Sequence, residues 1–64
     1  MKLDDLTWDK GCCASVASVH TQDGLIVLTR PAGSDMVRVE RYGHDNRQIG
    51  EVEEMTLHDA ETIL

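Results

Sequence analysis

Two adjacent thiols, three imidazoles and two pairs of adjacent carboxylates are the groups in this 64-residue chain that could carry chemistry. Cys12 and Cys13, with His20, His44 and His58, are the donor types that zinc accepts. Structural zinc sites draw on ligand pairs about two to four residues apart, and neither the cysteines nor the histidines have that spacing. A cysteine nucleophile would need a histidine and a carboxylate such as Asp45 within hydrogen-bond reach, and no local pattern arranges them. The two cysteines therefore read as buried, free thiols that pack as small hydrophobes, with no metal and no cofactor. A disulfide between them is not expected, because neighbours in sequence rarely meet disulfide geometry without strain. Asp4–Asp5 and Glu53–Glu54 could supply acid and base, but adjacent strand residues point to opposite faces and so short a chain has little room for a cleft. They read as solvated acids. Gly24, Gly33, Gly43 and Gly50 are isolated and match no phosphate-binding loop. Catalysis is not expected.

The elements that must position these groups follow from period and turn chemistry. Asp23-Gly24 separates two β-prone runs, Cys13 to His20 and Leu25 to Arg30, and supplies the residues of a two-residue hairpin turn. With that turn Thr21 pairs with Ile26, Val19 with Leu28 and Ala17 with Arg30, all on the core face. The other face carries Ser18, His20, Leu25 and Val27, and Met36 and Tyr42 join them. Residues 31–35 and 43–47 read as turns. Met36 to Tyr42 alternates cleanly, with Val37 and Val39 on one side. Gln48 to Glu54 is a weaker fourth strand, in which Ile49 and Val52 fall on opposite faces unless Gly50 marks a bulge. Thr56 followed by Asp59 resembles a capping box, and Leu57, Ala60 and Ile63 or Leu64 recur at helical spacing from Leu57 onward. Leu3, Leu6 and Trp8 add an edge strand or an apolar flap, expected to cover the sheet face opposite the helix; a second copy on that face, as a homodimer, is the alternative. The expected fold is α+β: one domain over 1–64, an antiparallel β-meander of three to four strands with a short C-terminal helix.

Charge narrows the function classes. Twelve acidic residues oppose six basic ones, for a net charge of -6. Residues 11–50 balance, whereas residues 51–64 hold five acids and no Lys or Arg. Such a field repels nucleic acid and anionic membranes and draws in basic surfaces. No run approaches a membrane span, and Met-Lys-Leu-Asp-Asp-Leu lacks a signal peptide's apolar core, so a cytoplasmic location is expected. The expected partner is the basic surface of a nucleic-acid-binding protein, met by Glu51, Glu53, Glu54, Asp59 and Glu61 with Asp4 and Asp5. Direct nucleic-acid binding is not expected.

The brevity, the acidic surface, the meander and the short Thr56-Leu57-x-x-Ala60 helix together resemble the small proteins encoded by phages and mobile elements. Among these the chain is similar to anti-CRISPR and other DNA-mimic inhibitors. The resemblance is one of size, charge and layout over the whole chain and carries no motif. It implies an inhibitor that occupies a DNA-binding or PAM-reading surface of a CRISPR effector or similar host defence protein. Four arginines between Arg30 and Arg47 interrupt the negative surface. Two other classes stay open: a small structural or accessory subunit held by its aliphatic sheet face, and a redox or metal protein using Cys12 and Cys13.

Overall fold

The computed structural model describes residues 2–64. Five strands, β1 (Asp9–Lys10), β2 (Ala14–Thr21), β3 (Gly24–Pro31), β4 (Met36–Gly43) and β5 (Glu53–Thr56), pair antiparallel in chain order. A 3-10 turn (Leu3–Asp5) precedes them and α1 (Leu57–Ile63) follows. The class is α+β with a C-terminal helix, as expected, but the meander has five strands and not three to four. The additional strand is β1. Asp9 and Lys10 are polar and too few to show alternation, yet they find partners in Val16 and Ser15 once β2 offers an edge.

The β2–β3 register differs by two residues from the one expected. Thr21 pairs with Gly24, Val19 with Ile26 and Ala17 with Leu28, so Gln22 and Asp23 form the turn. Neither turn residue has a positive φ, while Gly24 has φ 143°. Glycine in the fourth position is what an ordinary type I turn accepts, so Asp-Gly need not sit at the centre of a primed one. A slip of two leaves every side chain on its expected face. The fourth expected strand begins late. Tyr42 and Gln48 form an isolated bridge, and the Ile49 N–H donates to the Arg41 carbonyl at 2.7 Å. Three steps from Tyr42 to Val39 are then matched by five from Gln48 to Glu53, an excursion in which Gly50 takes φ 70°.

Leu28, Val37, Val39 and Ala60 are fully buried, Leu3 nearly so, and Leu6, Trp8, Ile26, Met55, Leu57 and Leu64 pack around them. This core lies on the helix side of the sheet. Thr56 caps α1 as expected: its Oγ1 accepts the Asp59 N–H at 3.1 Å. The Leu57 N–H donates to the Asp35 carbonyl at 3.1 Å, which ties the helix start to the β3–β4 turn. Leu64 turns inward, and Ile63 remains 37% exposed.

Leu3, Leu6 and Trp8 join this core and do not cover the opposite sheet face. Seven helical residues shield only part of a five-stranded sheet, and Leu3, Leu6 and Trp8 add to the cover on that same side. The Trp8 Nε1–H donates to the Leu3 carbonyl at 2.9 Å, which satisfies the indole within this arrangement. The far face is consequently open among the described residues. Val16 and Met36 are each 39% exposed there, with Leu25, Val27 and Tyr42 half-buried beside them.

Candidate binding surface

The seven acids singled out by charge fall into two groups. Asp4 and Asp5 lie on the 3-10 turn, Asp59 and Glu61 on α1, and these two elements pack together. Glu61 is half-buried, and its Oε1 accepts the Leu3 N–H at 3.3 Å, so one carboxylate joins the two chain ends. Asp4, Asp5 and Asp59 are exposed. Among the described residues no Lys or Arg side chain lies within ion-pair distance of these four acids.

The acids before and on β5 differ. Glu51 is exposed just outside the strand. Glu53 and Glu54 are exposed on a sheet edge, where charge blocks pairing with another strand. Adjacent in sequence, they point to opposite faces. Glu53 Oε1 lies 3.4 Å from Arg41 Nη1 on the helix side, and Glu54 stands directly across from Arg38 on the open side. Of the two β5 acids, only Glu53 has an arginine within ion-pair distance among the described residues. Glu51 and Glu54 have no such partner, and four further carboxylates without one gather where the N-terminal turn meets α1.

An apolar feature adjoins that charge. Ile63 follows Asp59 by one helical turn and therefore lies on the same side of α1. It shares a groove with Ile26, Arg41 and Ile49. Ile49 is 48% exposed and Ile63 37% exposed along this groove. Trp8, Met55 and Tyr42 are other large apolar side chains that could serve as anchors. Trp8 and Met55 are committed to the core, and Tyr42 lies on the open sheet face, where its hydroxyl donates to the Glu40 carboxylate. That bond, then partial desolvation and the Glu40 charge, hold the Tyr42 phenol above the usual tyrosine range. The signal for Ile63 was present but ambiguous, because helical spacing fits either Ile63 or Leu64 as the inward residue.

The groups considered for chemistry are dispersed. Cys12 and Cys13 cap the β1–β2 hairpin, at the end of the sheet where Ala14 pairs with Pro31. His44 and Asp45 lie beyond Gly43 at the other end, roughly 20 Å away along eight-residue strands. His44 Nε2 is 2.7 Å from the Gln22 carbonyl, and Asp45 Oδ2 is 3.7 Å from Arg47 Nε. His20 is on β2 and His58 on α1. Among the described residues no three His, Cys, Asp or Glu side chains gather as a metal ion would require. The expected burial of the thiols is wrong: both cysteines are exposed and free. They are the two central residues of a hairpin turn, and a turn tip projects from the sheet and has no core to pack against.

Among the described residues no helix is long and apolar enough to cross a membrane. No family model matches the chain, and no curated protein or solved structure shows significant similarity to it.

Proposed function

We propose that this chain is a non-catalytic binding protein whose acidic side occupies the basic nucleic-acid-binding surface of a CRISPR effector or a similar host defence protein. The observation that carries this reading is the joining of the two chain ends through Leu3 and Glu61, which adds Asp4 and Asp5 to the acids of α1. Four carboxylates, Asp4, Asp5, Asp59 and Glu61, thereby gather on one side, with no Lys or Arg side chain within ion-pair distance of them among the described residues. Charge sets encounter rate and orientation, while specificity needs a desolvated apolar anchor; Ile63 and Ile49 fill that role. Asp4 and Asp5 contact the partner with Asp59, and Glu61 acts chiefly by holding the turn against the helix. Glu53, neutralised in part by Arg41, contributes less than these acids.

The test is association kinetics against purified CRISPR effectors over a range of ionic strength. The Asp4→Lys/Asp5→Lys/Asp59→Lys variant should associate at least tenfold more slowly at low salt and lose most of the salt dependence, since exposed charges act mainly on the on-rate. Glu53→Gln should change the rate little. An unaltered salt slope in the triple variant would remove the electrostatic reading.

A second reading is favoured by one observation, the open sheet face. Val16, Val27, Leu25 and Met36 lie there uncovered by any described element, which suits an accessory subunit held by aliphatic contact. Such a complex would be nearly insensitive to salt, and Val27→Lys would abolish it while the acidic triple variant would not.

A further inference from the structure

Cys12 and Cys13 are the only cysteines in the chain, and no role in the proposed function uses them. They occupy the two central positions of the β1–β2 turn, between Lys10, which pairs with Ser15, and Ala14. Two backbone bonds hold the tip: the Gly11 N–H donates to the Ala14 carbonyl at 2.8 Å, and the Ala32 N–H donates to the Cys13 carbonyl at 2.9 Å. The second bond fastens the turn to the β3–β4 loop, so the tip is anchored from two sides. Both thiols are exposed, and their Sγ atoms are 3.0 Å apart. The hydrogen bond between them, with slight desolvation, holds the Cys13 thiol above its ordinary range.

That separation selects one chemistry over another. Adjacent Cα atoms are about 3.8 Å apart across a trans peptide, below the roughly 4.4 Å at which disulfides begin. A direct S–S bond would therefore be strained and readily reduced. A single thiophilic atom bridging the two sulfurs needs no such closure, and thiolates prefer soft centres. Harder ions that demand four ligands find no further donors gathered here among the described residues. We infer that Cys12 and Cys13 form a preformed dithiol chelate for a trivalent thiophilic metalloid, of which a mono-organic arsenical is the simplest representative. With phenylarsonous acid, two As–O bonds break and two As–S bonds form. The two hydroxides leave as water with the two thiol protons, and arsenic stays trivalent, so no oxidant or reductant takes part.

The second As–S bond is intramolecular, which raises avidity by about 10²–10⁴ over a single thiol. The experiment is titration of the reduced protein with phenylarsine oxide, followed by intact mass and by competition. Wild type should form a one-to-one adduct that excess 2-mercaptoethanol fails to strip and that 2,3-dimercaptopropanol removes. Cys12→Ser and Cys13→Ser should each bind about 10²–10⁴-fold more weakly and lose their adduct to the monothiol. An adduct on wild type that the monothiol strips would overturn the inference. So would single variants that bind as tightly as wild type. The competition on unmodified protein decides the question even if a variant were to fold poorly.

Discussion

Replacing Gly24 by alanine probes the closest backbone approach in the sheet. Gly24 has φ 143°, a conformation that L side chains rarely adopt, and it stands opposite Gly43. An added Cβ would lie 2.1 Å from the Tyr42 carbonyl oxygen and 2.9 Å from the Gly43 Cα. Gly43 gives its N–H to the Arg47 carbonyl and receives the Asn46 N–H on its own, so its hydrogen bonds point away from β3. The Gly24–Gly43 pair is therefore the close, non-hydrogen-bonded kind, and by alternation the Leu25–Tyr42 pair next to it carries the ladder bonds. Alanine forces β3 and β4 apart by roughly 1 Å at that point. The cost combines backbone strain of about 1–3 kcal/mol with one or two ladder bonds at about 1 kcal/mol each, or about 2–5 kcal/mol in all. A chain of this length has about 3–10 kcal/mol to lose. Gly33 is the control, because its φ of 74° is also positive but nothing lies within 4 Å of an added Cβ. Gly33→Ala should cost only about 1–2 kcal/mol. Urea unfolding followed through Trp8, the only tryptophan, measures both variants. If Gly24→Ala proves no more costly than Gly33→Ala, the close-approach argument is refuted.

Leu28, fully buried in the central strand, should cost about 2–5 kcal/mol on replacement by alanine, enough to populate the unfolded chain in calorimetry. Thr56→Ala removes the acceptor for the Asp59 N–H and should lower stability by about 0.5–2 kcal/mol in the same urea assay, whereas Thr56→Ser should retain most of it. Tyr42, the sole tyrosine, should release its proton above the usual value near 10 when phenolate absorbance is followed, and Glu40→Gln should bring the midpoint back down. Because the folded value is raised, the contribution to stability is complete below about pH 10 and is lost as pH rises through the folded value. A wild-type midpoint at or below that of free tyrosine would contradict the Glu40 contact.

The strands that were legible in the sequence are those where period and burial coincide. Val37 and Val39 alternate in β4, and a sheet face packed against a helix demands that alternation. The β2–β3 register escaped because Asp23-Gly24 fits two turns, and only the close approach of Gly24 to Gly43 separates them. That approach is a contact across the sheet with no local signature. β1 escaped for the opposite reason: Asp9 and Lys10 have no pattern of their own and are strand only because β2 lies beside them. Thr56 was readable as a cap because its acceptor and the Asp59 N–H are three residues apart. The division of the acids was not readable. Arg41 comes within ion-pair distance of Glu53 once β5 pairs with β4, Arg38 only stands opposite Glu54, and Glu61 meets Leu3 from the far end of the chain. The burial expected of Cys12 and Cys13 followed residue type, and the turn position overrode it.

Displacement of DNA bears directly on the proposed role of the acidic surface. A labelled duplex held by a purified CRISPR effector is titrated with this protein, and loss of fluorescence anisotropy reports release. Wild type should release the duplex, release should weaken as salt is raised, and the folded Asp4→Lys/Asp5→Lys/Asp59→Lys variant should need at least a roughly tenfold higher concentration, as expected when combined rim charges govern encounter. Equal displacement by wild type and by that variant at low salt, together with loss of displacement on Val27→Lys, would contradict the acidic surface and assign binding to the open face of the sheet.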